Sequence, residues 1–429
     1  FRSTDKRSPV AGARIISGLI PCNVIPEEIL TDHPDRYRAM IVESGNPVHS
    51  LADSQRMREA IRALDFSVVI DVAMTETARE ADYVLPAASQ FEKAEATFFN
   101  FEFPRNAFHV RKPLFEPLPG TLVEAEIHAR LLEQMGELSE RDYKPLRLAA
   151  KLGMTPFATA FASAAAVKPK LMKYIGVVLY RTLGQTLPKG METAAVVWGM
   201  CLQYVKSNPE TAKRAGFGGP TLLAANKLFQ QLLEGPSAVV FAESLYEESQ
   251  KNTAMPDHKI QLHVPEMLEE LKQIAVQGPS DNAEYPFVLS AGERRSETTN
   301  TVIRDAGWHR NGTFAPLRIC PTDASDLDCE SGDIVRLSTQ RASTEVTLEV
   351  TDTMQPGHIS LPNGVGLDYV NEDGQVVRKG SPPNELTDTQ RRDFLAGTPW
   401  HKNVPAKLQK IVMPDKHRVD AQDEVGAAK

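Results

Sequence analysis

Short apolar runs alternate with amphipathic stretches over the first third of the chain. Ala39–Glu43 (AMIVE) has the length and composition of a buried strand and ends in the turn Ser44-Gly45-Asn46-Pro47. Within Asp53–Leu64, Met57, Ile61 and Leu64 recur at i, i+4 and i+7, which puts them on one face of a helix. Phe66–Ile70 (FSVVI) reads as a second buried strand closed by Asp71. Thr75 can cap a short helix over Glu76–Ala81, with Glu76 in its first turn where the helix dipole favours negative charge. Tyr83–Leu85 is a third strand, stopped by Pro86, and a helix around Val123–Gln134 ends the region. Strands joined by short helices predict an α/β domain with a doubly wound parallel sheet.

The pattern then changes twice. Over residues 140–283, β-branched runs are few and helical periodicity recurs in Leu171–Leu183, Met191–Val205 and Pro220–Leu233, which predicts a helical insertion. From Tyr285, the short β-branched runs Phe287–Leu289, Ile334–Ser338, Thr344–Val350 and His358–Leu361 are separated by Gly, Asp and Pro. That texture predicts a small all-β barrel. The expected domains are therefore 1–139 (α/β, lacking its amino-terminal part), 140–283 (helical insertion), 284–414 (β-barrel) and 415–429 (a polar tail).

A length of 429 residues exceeds a single core. The net charge of −8 gives no field that would attract a nucleic acid polymer. The four cysteines (Cys22, Cys201, Cys320, Cys329) form no C-x-x-C pair, so neither a disulfide framework nor a zinc or iron–sulfur site is expected in this chain. The longest apolar stretches, near Tyr174–Leu179 and Thr193–Met200, fall well short of the roughly 20 residues of a membrane span. Phe1 stands where a methionine would, and no signal peptide follows, so the chain reads as a piece whose start lies upstream. A cytoplasmic location is expected, with the periplasm left open because an export signal would have gone with the missing part. No G-x-S-x-G, H-E-x-x-H or phosphate-binding G-x-x-x-x-G-K-[ST] motif occurs, and none of the ten histidines sits at metal-ligand spacing. Neither a catalytic nucleophile nor a metal ligand is expected here.

What remains is the outline of a nucleotide site. Open α/β sheets bind nucleotides at the carboxyl ends of their strands, where Gly45-Asn46-Pro47 and Asp71 both fall. Glycine lets a phosphate approach the backbone, and asparagine both donates and accepts. A carboxylate such as Asp71 can accept two hydrogen bonds from a ribose diol or a guanine edge. Each feature alone is also a common turn or strand end.

Together they carry a family resemblance. Asp71-Val-Ala-Met-Thr75-Glu-Thr-Ala78, Ala81-Asp82-Tyr-Val-Leu85-Pro86, Glu92-Lys93 and Thr97–Asn100, with the upstream Gly-Asn-Pro turn, resemble the third domain of the molybdopterin oxidoreductases. These enzymes, among them formate dehydrogenases, nitrate reductases and dimethyl sulfoxide reductase relatives, bind bis-(molybdopterin guanine dinucleotide) with molybdenum or tungsten. Ser290–Thr301, Pro356–Gly366 and Pro383–Thr387 resemble that family's dinucleotide-binding barrel, of double-psi type. The resemblance implies that Asn46 and Asp71 contact a guanine nucleotide, that Gly45 and Thr75 also bind cofactor, that Lys93 neutralises cofactor phosphate, and that Glu124 stands near the nucleotide. It implies a loop from Gly292 through Arg294, Arg295, Thr299 and Asn300 against the pterin and pyrophosphate, closed by Asn384 and Lys402. Guanidinium forks suit phosphate, which they bind bidentately. This chain departs from the common family pattern at Ala96-Thr97 and at Asn100-Phe-Glu-Phe-Pro-Arg105.

The resemblance further implies that the metal-ligating residue and the cysteines for a [4Fe–4S] cluster belong to a missing amino-terminal half. The chain alone should then be inactive, and an electron-transfer subunit is compatible as a partner. The alternative is a non-catalytic, pterin-free relative such as the large iron–sulfur subunit of NADH dehydrogenase. Asn46, Asp71, Lys93 and the arginine pair argue against it, since an empty site needs no phosphate ligands. An ordinary NAD enzyme lacks support, because no G-x-G-x-x-G turn is present.

Overall fold

The computed structural model describes residues 6–16, 18–96, 102–235, 237–253, 255–277, 282–293, 303–305 and 315–411. Its contacts divide the chain into two units, one of Phe1–Val84 with Pro265–Lys429 and one of Leu85–Val264.

The first unit begins with the α/β layer. β1 (Ala39–Glu43) pairs in parallel with β2 (Phe66–Asp71), Ala39 opposite Phe66 and Glu43 opposite Ile70. β3 (Tyr83–Pro86) completes a three-stranded sheet in the order β1-β2-β3. The third strand is keyed to the second by side chains: Ser67 donates its backbone N–H (2.7 Å) and hydroxyl (2.9 Å) to Asp82 Oδ2, and the Asp82 N–H returns a bond to Ser67 Oγ at 3.0 Å. The helix Ser54–Ala63, capped by the Asp53 carboxylate at Arg56 N, packs Met57, Ala60 and Ile61 against Ile29 and Val48. Where the capping pattern at Thr75 and Glu76 predicts a helix over Glu76–Ala81, only a turn of 3-10 helix forms at Ala78–Glu80. The reason is chemical: the side chains of Glu76 and Thr77 are spent on the neighbouring loop, as described below.

The same unit holds a closed six-stranded barrel. Around it run Ile334–Thr339, Ser343–Val350, Leu317–Ile319, His358–Pro362, Phe287–Glu293 and Val404–Lys410, the last pairing back to the first. Two neighbour pairs are parallel, Ser343–Val350 with Leu317–Ile319 and His358–Pro362 with Phe287–Glu293; the others are antiparallel. Period-two alternation turns Leu289, Ala291, Val335, Leu337, Ile359 and Leu361 inward, where they are fully or nearly fully buried. The mixed α/β architecture with an all-β barrel matches the expected fold class.

The second unit is mainly helical. Ser139 and Asp142 form a reciprocal capping box that starts Glu140–Lys151, and Met154–Val167, Ile175–Arg181, Ala195–Ser207 and Thr221–Glu234 follow. Tyr143, Phe157, Trp198 and Phe229 fill its core. The helix Glu124–Gln134 belongs to this unit. Arg181 explains why: its guanidinium reaches Glu126 at 2.6 Å and Glu133 at 2.8 Å, both on that helix. Two short strands, Arg105–Phe108 and Val239–Glu243, pair antiparallel at its edge.

Candidate functional site

The loop after β1 is shaped by one left-handed residue. Ser44 has φ 51° and donates its N–H to Ile70 O at 3.0 Å, which closes the strand and turns the chain away from the sheet. Asn46 then starts a short helix, Pro47–Ser50, its carbonyl accepting from His49 N (3.0 Å) and Ser50 N (2.8 Å). Pro47 sits at the first helical position, where a missing N–H costs nothing. The Asn46 side chain points to the loop after β2. Its Nδ2 donates to Glu76 Oε2 at 2.5 Å, and its Oδ1 accepts from Thr77 N (3.2 Å) and Thr77 Oγ1 (2.9 Å). Thr77 Oγ1 also accepts from Val48 N at 3.0 Å. The two loops at the carboxyl edge of the sheet are thereby stapled together.

Asp71 ends β2 on that same edge and is half-buried. Its Oδ1 accepts from Val72 N (2.7 Å) and Ala73 N (3.2 Å), and among the described residues its Oδ2 has no hydrogen-bond partner. Thr75, also buried, accepts from Ala78 N through its hydroxyl at 3.1 Å. Gly45, Asn46, Asp71 and Thr75 are thus brought together at one end of the parallel strands.

Glu76 is a residue the sequence did not single out as part of the site. Its side chain is only 2% exposed and accepts from Asn46, from Arg304 Nη2 at 2.7 Å and from Asp368 N at 2.6 Å. Burial works to raise its pKa. The Asp368 N–H, the Asn46 amide and the Arg304 charge outweigh burial and hold the carboxyl below the usual range. His49 is buried nearby, and desolvation pushes it down to about 4; Arg304, Arg378 and Arg58 act in the same direction while Glu76 opposes them. Arg378 in turn bonds Asp368 Oδ1 (2.7 Å) and Glu385 Oε1 (3.0 Å). No periodicity marks such a network. The only local hint was a carboxylate between two threonines just after a strand.

The barrel contributes a second set of contacts. Gly292, one residue before the end of the strand Phe287–Glu293, has φ 90°, a conformation that favours glycine, and its carbonyl accepts from Lys402 Nζ at 2.7 Å. Asn384 Nδ2 donates to His49 O at 2.8 Å, which places it against the loop after β1. Asn363 N donates to Glu293 O at 2.9 Å, while its side-chain Oδ1 is buried with no hydrogen-bond partner among the described residues. Arg294, Arg295, Thr299 and Asn300 lie outside the described residues. In the helical unit, Lys93 and Glu124 are brought together as an ion pair, with side chains 15% and 18% exposed. Among the described residues no cluster of His, Cys, Asp and Glu could hold a metal ion, and no helix is long and apolar enough to cross a membrane.

The family model described as Molybdopterin oxidoreductase matches residues 23–118, and the one described as Molydopterin dinucleotide binding domain matches residues 287–405. Between them they take in half of the chain. The F420-dependent formate dehydrogenase subunit alpha of Methanocaldococcus jannaschii is 23% identical over 388 residues, 90% of this chain and 45% of that protein. The dimethyl sulfoxide/trimethylamine N-oxide reductase of Rhodobacter capsulatus is 25% identical over 380 residues, 86% of this chain and 41% of that protein. Among solved structures, acetylene hydratase from Pelobacter acetylenicus aligns with a TM-score of 0.51 at 17% identity, covering 92% of this chain and 47% of that one, a likeness of fold. The chain spans less than half the length of each of these proteins.

Proposed function

The chain belongs to the molybdopterin oxidoreductase family, and from that premise we propose that it supplies the dinucleotide-binding part of a bis-(molybdopterin guanine dinucleotide) enzyme of formate dehydrogenase-like type. The observation that best supports this reading is Asp71. Its carboxylate stands at the carboxyl edge of a parallel sheet, one oxygen fixed by the turn it caps and the other without a partner among the described residues. A guanine edge offers adjacent N–H donors, which a carboxylate fixed by its own turn is suited to accept. The buried, unpartnered Asn363 Oδ1 is a second acceptor that a polar ligand would satisfy. The residues present therefore fit the group.

In this reading the division of labour follows from the contacts. When bound, the cofactor supplies the two-electron or oxygen-atom transfer at its molybdenum or tungsten. Asp71 binds the guanine. Asn46, whose amide is already committed to Glu76 and Thr77, holds the loop that Gly45 opens to the nucleotide. Lys402 holds the backbone at Gly292, and Arg294 and Arg295, whose guanidinium forks suit phosphate, are the phosphate ligands of this reading, with Thr299 and Asn300 as further cofactor contacts. Asn384 closes the site from the barrel side. Lys93 and Glu124 form a second charged element whose lysine would turn to cofactor phosphate. The metal-ligating residue and a [4Fe–4S] cluster would come from outside this chain. The relative named as a subunit alpha suggests an electron-transfer partner subunit as well.

The test uses the full-length protein that contains this chain. Acid hydrolysis should release guanine nucleotide, two per molybdenum or tungsten. Purified, folded protein with metal but without guanine nucleotide, or with neither, would overturn the reading.

A further inference from the structure

The helical unit contains a cavity that the cofactor site does not use. Its volume is about 220 Å³, and it lies between the helices Ala195–Ser207 and Thr221–Glu234 and the strand pair Arg105–Phe108 and Val239–Glu243. Val197, Cys201, Leu228 and Leu232 form its floor and are 2–4% exposed. Phe108, Phe241 and Tyr204 form an aromatic wall. Tyr204 meets Phe241 nearly edge-on with centroids 4.8 Å apart, and Phe108 does so at 6.4 Å. Met200, 43% exposed, stands at the mouth.

The polar groups of this lining are spoken for. The Tyr204 hydroxyl is hydrogen-bonded to Thr211 Oγ1 at 2.8 Å. Burial pushes the Cys201 thiol up to about 12, so it stays protonated and is no nucleophile. A cavity with no free polar side chain in its lining offers water and charged ligands no hydrogen-bond partner there. Apolar cavities of roughly 150 Å³ lined by such side chains stay dry and take up benzene or xenon. An aromatic guest gains more, because ring edges and faces on the wall are arranged for offset and edge-to-face contact.

We propose that this cavity is a binding site for a small, neutral, aromatic molecule of about benzene's size, separate from the cofactor site. The guest is held by shape and dispersion, with no hydrogen bond and no covalent step. Chemistry sets its selectivity: adding a hydroxyl to the ring weakens binding, since no group in the cavity is left to pair with it.

Isothermal titration of the 429-residue chain with benzene and with phenol tests this. Benzene should bind at a single site, and phenol at least tenfold more weakly. Val197→Phe fills the cavity, and Met200→Trp blocks its mouth from a half-exposed position that cannot disturb the core. Each should weaken benzene binding by tenfold or more while the far-ultraviolet circular dichroism stays unchanged. If Val197→Phe fails to fold, Met200→Trp decides alone. No benzene binding by the folded wild-type chain, phenol binding as tightly as benzene, or undiminished binding by folded Met200→Trp would each overturn the proposal. None of these outcomes depends on whether the chain binds a guanine dinucleotide.

Discussion

Arg304 and Glu76 are 228 residues apart in sequence and meet at 2.7 Å, the guanidinium Nη2 against Oε1. Glu76 reaches from the α/β layer, and Arg304 also donates to the carbonyl of Asp368, which lies just beyond the barrel strand His358–Pro362, at 2.8 Å. Glu76 Oε1 accepts the Asp368 N–H as well, so a single buried oxygen joins the sheet loop to two segments of the carboxy-terminal half. Breaking such a buried pair from one side is costly because the other charge is stranded, typically by about 3–5 kcal/mol. Glu76→Ala should therefore destabilise the first unit by roughly that amount. Arg304→Ala should cost less, about 1–3 kcal/mol, because Glu76 keeps Asn46 and the Asp368 N–H. Urea unfolding of the two variants gives the order, and Arg304→Ala proving the more damaging would contradict this account.

His49 makes stability depend on pH in a definite direction. Its pKa falls from 6.5 to about 4 on folding, through desolvation first and then Arg304, Arg378 and Arg58, against Glu76. Between those two values the unfolded chain binds a proton that the folded chain does not, so stability rises with pH across that window. The contribution is fully present above 6.5 and is lost as pH falls towards 4, by about 3 kcal/mol at most. Glu76, with its own depressed pKa, adds a further loss as pH falls through its folded value. Thermal melts from pH 7 to pH 4 should show a slope that His49→Gln flattens. An unchanged slope would mean that His49 charges freely in the folded state.

In the helical unit the Trp198 indole donates to Asn226 Oδ1 at 2.8 Å, and both residues are buried. Trp198→Phe removes the donor and leaves the acceptor unpaired, a cost of about 1–3 kcal/mol in addition to the lost packing against Phe157. Asn226→Leu in the same background should recover part of it, since replacing both partners with apolar groups removes the unpaired acceptor, less the 3.3 Å bond that Asn226 Nδ2 gives to Thr155 Oγ1. The measurement is a double-mutant cycle, and additive losses would show that the hydrogen bond carries little.

What the sequence made legible follows physical range. β1, β2 and the helix Ser54–Ala63 announce themselves by local periodicity, as do the barrel strands Ile334–Thr339, Ser343–Val350 and His358–Pro362. Leu317–Ile319 has three residues, too few for alternation to register, and Val404–Lys410 carries a proline and three polar side chains among its seven residues. The gathering of Gly45, Asn46, Asp71 and Thr75 could be placed because strand ends bring their loops to one edge. The Glu76–Arg304–Asp368 network could not. It depends on which segments of the barrel half return to the sheet, and no local pattern encodes that. The same limit applies to Asn46, where residue type suggests a ligand contact while the contacts with Glu76 and Thr77 depend on the neighbouring strand.

Asp71 and Asn46 should therefore separate when each is replaced in the full-length enzyme. Asp71 gives two hydrogen bonds to its own turn, both short-range and exposed or half-buried, so Asp71→Ala should cost little stability. If it binds guanine, the loss of charged hydrogen bonds worth about 1.5–3 kcal/mol each lowers nucleotide retention by at least tenfold. Asn46 makes three side-chain hydrogen bonds within the protein, one of them to the buried Glu76. Asn46→Ala should lower the melting temperature and nucleotide content together. His358, whose ring is hydrogen-bonded among the described residues to the nearby Pro356 carbonyl at 3.1 Å, serves as the neutral reference for substitution. Guanine nucleotide and metal per folded protein, read beside the melting temperature, distinguish the two roles. A folded Asp71→Ala enzyme that keeps its full guanine complement would place nucleotide recognition on other residues.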